Sequence, residues 1–334
     1  MTIKRRTFLG AGIALPGLAA FGGRALAQQN NQPPAIQFDM GGKFDRSFNQ
    51  AAYDGAERFQ RESSIRYLEF EVTNPTQREQ GLRNLARRNP SVVVGVGFAN
   101  RSPLEVVSRE FPQIKFTLID DVLDAANVQS VVFREHEGSF LVGMIAAMAS
   151  RTAKVGFIGG MDIPLIRKFA RGYSEGAKHV NANIEVFENM TGTTPSAWND
   201  PSRGGELARS QIARGADVIY AAAGGTGIGV YQACREAGKY AIGVDSNQNH
   251  LHPGTMLTSM IKRVDVAVYD AMTSARAGTW RNGTRVLGLR ENGVGWALDE
   301  HNRSLITADM ERRVNEARDA IIAGRITVTD VTAR

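Results

Sequence analysis

GGKFDRSFNQAAYDGA, residues 41–56, joins a short apolar strand candidate at 35–40 to a helix candidate at 48–62. Gly41 and Gly42 let the chain turn where other side chains would strain it. Ser47 can cap the helix. Phe48 and Asn49 then fall on the first helical turn, just beyond a strand end. Open α/β sheets hold their ligands at such ends. An aromatic face beside a carboxamide suits a flat heterocycle, one stacking and the other reading hydrogen-bonding edges. The alternative is a phenyl ring packed under its own loop.

The same alternation runs through the chain. Strand candidates are 65–72, 91–98 (SVVVGVGF), 114–120 (IKFTLID) and 128–133, with helices at 75–89, 103–111 and 138–150. It restarts at 154–160 (KVGFIGG), followed by strands at 184–190, 217–223 and 240–245 and helices at 163–180, 201–214 and 228–237. Near-continuous apolar strands are those covered on both faces. Strand–helix repeats of this kind give mostly parallel sheets sandwiched by helices. The expectation is α/β, with two doubly wound open parallel-sheet lobes. The last third is less regular. Residues 256–261 read as a strand, 264–277 as a helix, 286–298 as a hairpin and 309–323 as a charged closing helix.

The N-terminus reads as an address. Lys4, Arg5 and Arg6 precede an Ala-, Gly- and Leu-rich run that ends in Ala25-Leu26-Ala27, an A-x-A cleavage signal. The Arg-Arg-x-Phe-Leu pattern is that of a twin-arginine export signal. The expectation is a signal peptide over 1–27, cleaved after Ala27, and a flexible lead over 28–34. The product would be periplasmic. No cysteine follows the cleavage point directly, so no lipid anchor is expected there; Cys234 is the only cysteine. The chain carries 40 basic and 34 acidic residues, and the first 27 residues hold four of the basic ones and no acid. The remaining 307 residues therefore have a net charge of +2, which gives no footing for nucleic-acid or membrane-surface binding.

Polar and aromatic residues collect at the strand ends: Phe48-Asn49, Gly97-Phe98, Asp120, Gly224-Gly225 and Asp245, with Trp198 in a loop before a helix and Lys262 after a strand. Each has a plain alternative. Asp120 and Asp245 can cap turns, Trp198 can pack on its own loop, and Lys262 can be a solvated cation. Together they suit a cleft between two lobes. The glycines at 224, 225, 227 and 229 miss the dinucleotide spacing, because Val230 stands where the last glycine belongs. His250 and His252 lack helical spacing and a cysteine partner, so no metal is expected. H-E-x-x-H and Walker A patterns are absent from the sequence, and neither cofactor nor catalysis is expected.

Asp45-Arg46-Ser47-Phe48-Asn49-Gln50, Val94–Phe98, Phe116–Asp120, Lys154–Gly160, Gly224–Tyr231 and Ile242–Asp245 occur in this order. That succession resembles the basic membrane protein family, purine-nucleoside-binding subunits of ABC importers built like type I periplasmic binding proteins. The resemblance implies a clamshell with a multi-strand hinge, acting as a monomer beside an inner-membrane ABC permease. It implies one lobe from 35–152 with about 255–280, and the other from 153–254 with about 281–334. It places Phe48 and Trp198 on opposite faces of a purine, Asn49 and Asp120 on the base, and Gly225, Asp245 and Lys262 on the ribose, with Gly97 lining the site. Where relatives often carry an acid for the ribose, this chain has Asn100, Arg101 and Ser102. A free base such as adenine is therefore an alternative ligand. A sugar-binding clamshell, a nucleoside-processing enzyme and the effector half of a repressor are the competing readings.

Overall fold

A computed structural model describes residues 32–332, together with Thr2. The export signal falls outside the described residues.

Strand β1 (Ala35–Phe38) leads to helix α1 (Phe48–Ser63), then β2 (Leu68–Glu71), α2 (Arg78–Ala86), β3 (Val93–Gly95), α3 (Arg101–Glu110), β4 (Phe116–Ile119) and β5 (Val128–Phe133). Helix α4 (Glu135–Ala149) follows, then β6 (Lys154–Met161), α5 (Pro164–Val180), β7 (Glu185–Gly192), α6 (Pro201–Ala213), β8 (Val218–Ala222), α7 (Gly227–Glu236), β9 (Tyr240–Asp245) and β10 (Met256–Lys262). The chain ends with α8 (Val264–Arg276), β11 (Gly283–Leu287), β12 (Val294–Trp296) and α9 (Ala308–Ile322).

The strands form two six-stranded sheets, ordered β11-β5-β4-β3-β1-β2 and β12-β10-β9-β8-β6-β7. The orders match position for position, so the two halves repeat one topology. Every pairing is parallel except β10 with β12. One apolar cluster runs from α1 and α8 of the first half to α4 and α5 of the second, and a smaller core lies on the other face of each sheet. This is the α/β architecture expected from the alternation.

The crossings between halves differ from expectation at three places. Strand β10 pairs with β9 and so lies in the second sheet, not the first. The chain crosses after it, at Arg263, and α8 packs on α1. A Cβ on Gly55 of α1 would sit 2.2 Å from the Asp265 carbonyl oxygen, so only glycine permits that approach. Strand β11 pairs with β5 in the first sheet and β12 with β10 in the second, so residues 286–298 are a crossing and not a hairpin. Helix α4 packs on α5 rather than staying with the first sheet. A Cβ on Gly172 would lie 2.2 Å from the His136 carbonyl oxygen. Helix α4 is buried on all sides from Glu135 to Ala146, as the apolar run that begins at Phe140 requires of its second half. Three connections, near Arg134, Arg263 and residues 288–293, therefore join the halves.

Candidate functional site

The strand ends of both sheets open onto one cleft. Asp39 and Met40 follow β1, Gly97 and Phe98 follow β3, and Asp120 follows β4. From the second half come Leu165, Ile166 and Phe169 of α5, Trp198, Ala222, Gly224, Val244, Asp245 and Lys262. Asp45, Phe48 and Asn49 complete the lining. The empty space, open mouth included, is about 590 Å³. Small-molecule sites run from about 300 to 1,000 Å³.

Seven of the eight residues singled out in the sequence lie in this lining: Phe48, Asn49, Gly97, Asp120, Trp198, Asp245 and Lys262. Gly225 does not; its neighbour Gly224 does. A Cβ on Gly225 would face the Trp198 carbonyl oxygen at 3.3 Å, Asn199 Oδ1 at 3.5 Å and the Asp45 Cβ at 3.9 Å. Gly224 has φ +56°, so the left-handed residue of the turn is the one that meets the cleft.

The start of α1 is built differently from the reading of Ser47 as its cap. The Asp45 carboxylate accepts the backbone amides of Ser47 (2.8 Å), Asn49 (3.0 Å) and Gln50 (3.0 Å). Ser47 Oγ instead donates to Asp245 Oδ2 at 2.6 Å, across the cleft. Ser246 Oγ donates to the Ser47 carbonyl at 2.8 Å, and Gln248 Nε2 to the Arg46 carbonyl at 2.8 Å. The cleft is closed. Asn49 Oδ1 accepts the Asp39 amide at 3.2 Å, which fixes the carboxamide and leaves its NH₂ end as the donor. Asp39 itself pairs with Arg78 at 2.8 Å.

Trp198 ends a 3₁₀ turn after β7. Thr191 and Thr226 both donate to the Ala197 carbonyl, at 2.9 and 2.8 Å, and hold that turn. The indole lies over Gly160: a Cβ there would come within 2.0 Å of its Cζ3. The ring meets Phe98 of the first half edge-on, with centroids 6.4 Å apart and planes at 65°.

Asp120 and Asp245 occupy equivalent positions, at the ends of the fourth strands of the two halves. Both have left-handed backbones, with φ of 74° and 64°. That region costs about 1–3 kcal/mol for a non-glycine residue. Lys262 Nζ lies 2.7 Å from Asp120 Oδ2 and 3.1 Å from Glu135 Oε1, while Lys168 Nζ lies 2.5 Å from Glu135 Oε2. The ammonium of Lys262 also sits between phenyl rings, 5.0 Å from Phe133, 5.2 Å from Phe48 and 5.6 Å from Phe169.

Three carboxyls, Asp120, Glu135 and Asp245, thus share two ammonium groups. Burial disfavours the charge on Lys262, but Asp120, Glu135 and Asp245 outweigh it and hold it above the usual lysine range. Burial also opposes ionisation of Glu135, and Lys262 and Lys168 outweigh it, so Glu135 is lowered. The surplus falls on the strand-end acids. Burial pushes Asp245 up to about 6 against the pull of Lys262 and the Ser47 hydrogen bond. Asp120 is raised for the same reason, against Lys262. Asp120 Oδ1 is buried and has no hydrogen-bond partner among the described residues. A buried acceptor left unpaired costs about 1–3 kcal/mol, and a ligand donor would recover it.

Together the lining offers aromatic faces, fixed acceptors and one cation in a cleft between the two halves. A model of the family described as ABC transporter substrate-binding protein, PnrA-like, matches residues 35–331. The chain belongs to this family. This PnrA-like protein is 30% identical over 357 residues to the ABC transporter nucleoside-binding protein BmpA of Lactococcus lactis subsp. cremoris, covering 98% of this chain and 99% of that one. It is 39% identical over 285 residues to an uncharacterized lipoprotein of Pyrococcus abyssi, covering 79% and 69%. Among solved structures, an ABC transporter solute-binding protein from Aeropyrum pernix superimposes with a TM-score of 0.83 at 30% identity, covering 91% and 94%. The word lipoprotein in the Pyrococcus name runs against the expectation of a chain without a lipid anchor.

Asp39, Met40, Asp45, Phe169 and the α5 residues Leu165 and Ile166 are lining residues that the sequence reading did not select. The signal was present for Leu165 and Ile166, which stand on the first turn after β6 as Phe48 and Asn49 do after β1. Among the described residues, Asp299, Glu300 and His301 form one group with metal-type ligand atoms close together. Asp299 is already engaged by Asn247 (2.6 Å), Asn249 (3.1 Å) and the His301 amide (2.8 Å), and the group is not part of the cleft lining.

Proposed function

We propose that the cleft captures a purine nucleoside or a free purine base and that the chain presents the closed form to an inner-membrane permease, working as a monomer outside the cytoplasm. The observation that carries this is the pairing of Phe48 from one half and Trp198 from the other in one lining that also holds the unpartnered Asp120 Oδ1. A planar ring between two aromatic faces gains about 1–3 kcal/mol per face, by analogy with base stacking in nucleic-acid binding. The Asn49 NH₂ group and the Asp120 carboxylate stand ready for the base edge. Asp245 and Lys262 stand ready for ribose hydroxyls, with the turn at Gly224 and Gly225 closing the rim. The nucleoside named for the Lactococcus relative agrees with this ligand class.

A free base is the second reading, and one observation favours it. Asn100 is fully buried, accepting from Gln37 Nε2 (2.7 Å) and donating to the Val96 carbonyl (2.7 Å), and neither it nor Arg101 lines the cleft. The segment that could carry a further ribose acceptor offers none.

A thermal melt with adenosine, guanosine, inosine, adenine and ribose separates these readings. Stabilisation by at least one purine supports the proposal, since a ligand that binds only the folded state raises its stability by mass action. No shift with any purine at millimolar concentration rejects it. A shift with ribose alone transfers the cleft to a sugar, and free ribose released from inosine would make the protein an enzyme.

A further inference from the structure

We propose that Ser47 is a positioning residue whose hydroxyl, reaching from the first half to Asp245 Oδ2 of the second, makes lobe closure and assembly of the ligand-facing carboxylate one event. This rests on the cleft being the binding site but not on which ligand fills it.

The two strand-end aspartates are gripped reciprocally. Asp120 of the first half is held by Lys262 of the second at 2.7 Å, and Asp245 of the second half is held by Ser47 of the first at 2.6 Å. Each grip uses a single carboxylate oxygen. Asp120 Oδ1 has no partner, and Asp245 Oδ1 takes part in no hydrogen bond among the described residues. Each acid therefore spends one oxygen on the opposite half and keeps the other for the cleft. Asp245 has the left-handed backbone described above, so its side chain is aimed by the strand end and then fixed by Ser47.

The loop bearing Ser47 is shaped for this contact. Arg46 has φ 59°, a strained value for a side-chain-bearing residue. Its carbonyl is held by Gln248 Nε2, and the Ser47 carbonyl by Ser246 Oγ, each at 2.8 Å. Asp45, not Ser47, caps α1, so the Ser47 hydroxyl is free of that duty. When the halves part, all three contacts break together and Asp245 loses the one donor it has among the described residues. The pre-formed contacts also lower the cost of closing before any ligand arrives, because a ligand needs to supply only the remaining difference.

The charged and titratable groups around Asp245 are Lys262 on β10, Asp45 in the α1 approach, Glu135 on α4 and Asp120 on β4, with the phenols of Tyr220 on β8 and Tyr231 on α7 behind it. The Ser47 hydrogen bond is one of the forces that favour its ionised form. Loss of that bond moves protonation of Asp245 to higher pH.

The test uses the full-length protein and its Ser47→Ala and Ser47→Thr variants. Small-angle scattering without ligand is expected to give a larger radius of gyration for Ser47→Ala than for wild type, with Ser47→Thr close to wild type. With adenosine as the probe, Ser47→Ala is expected to bind about tenfold more weakly, the usual cost of losing a hydrogen bond to a charged group. The pH at which adenosine affinity halves should move upward, and Ser47→Thr should restore it. A radius of gyration equal to wild type, or an unchanged affinity and pH midpoint in Ser47→Ala, overturns the proposal. If the wild type binds no purine at all, the ligand assignment fails while the scattering comparison still decides the role of Ser47.

Discussion

Lys262 Nζ lies 2.7 Å from Asp120 Oδ2, and the two residues end strands of different sheets. Lys262 is 2% exposed and Asp120 4% on their side chains, so this is a buried ion pair spanning the cleft. Glu135, at the first crossing between the halves, binds the same ammonium from behind and passes the charge on to Lys168. The cleft floor and the hinge therefore share one electrostatic network.

Breaking that network from the cation side is costly. Lys262→Met leaves Asp120 buried with no positive partner, and removal of one member of a buried pair costs about 3–5 kcal/mol. Urea unfolding should show a loss of that order. Glu135 keeps Lys168, so adding Asp120→Asn to Lys262→Met should recover part of the loss. A double variant no more stable than Lys262→Met alone would show that Asp120 is not the stranded charge.

The aromatic faces are tested by truncation. Phe48→Ala and Trp198→Ala should each weaken purine binding about tenfold or more, or ~1.4 kcal/mol. Isothermal titration with the best purine from the melt is the measurement. Unchanged affinity in both variants would place the ligand elsewhere.

Much of this cleft was legible because strand ends are legible. Gly97, Asp120 and Asp245 stand where an apolar run stops, Phe48 and Asn49 stand on the helix turn that follows one, and the topology brings such positions to one gap. Sheet membership was less so. The apolar pattern of β10 fits either sheet, and its pairing with β9 is a long-range choice that no local spacing carries. Ser47 and Asp45 are both good cap residues two positions apart. Asp45 takes the cap because Ser47 has a partner almost 200 residues away, and no local pattern carries that information. Phe169 lies in the second turn of α5 among other apolar residues, so nothing in its spacing sets it apart from core.

Gly160 gives a second route to Trp198. A Cβ at 160 would lie 2.0 Å from Cζ3 and 2.4 Å from Cε3 of the indole, and an overlap of that size moves the ring. Gly160→Ala should therefore weaken purine binding about as much as Trp198→Ala. The two changes should not add, because both act through one side chain. Titration of the single and double variants checks this. Full additivity would mean that Gly160 matters for some other reason.

The last prediction concerns pH. The folded pKa of Asp245 is pushed up to about 6 from an ordinary 3.8, chiefly by burial. The folded state thus holds this proton more tightly than the unfolded chain does. Its contribution to stability is fully present below the unfolded value and is lost as pH rises through the folded one, the reverse of a salt-bridged carboxylate. At pH 7.5 the buried charge costs on the order of ~3 kcal/mol relative to a neutral group of the same shape. Asp245→Asn keeps an acceptor for Ser47 and removes the charge. Unliganded Asp245→Asn should therefore melt above wild type at pH 7.5, and the gap should shrink towards pH 5. Ligand affinity should run the other way in the wild type. It falls from pH 7.5 to pH 5, because a protonated Asp245 no longer offers a full acceptor to a ligand hydroxyl. Melting curves and titrations at both pH values check the two trends. A melting gap that widens on acidification would show that Asp245 is held ionised and below its ordinary range in the closed cleft.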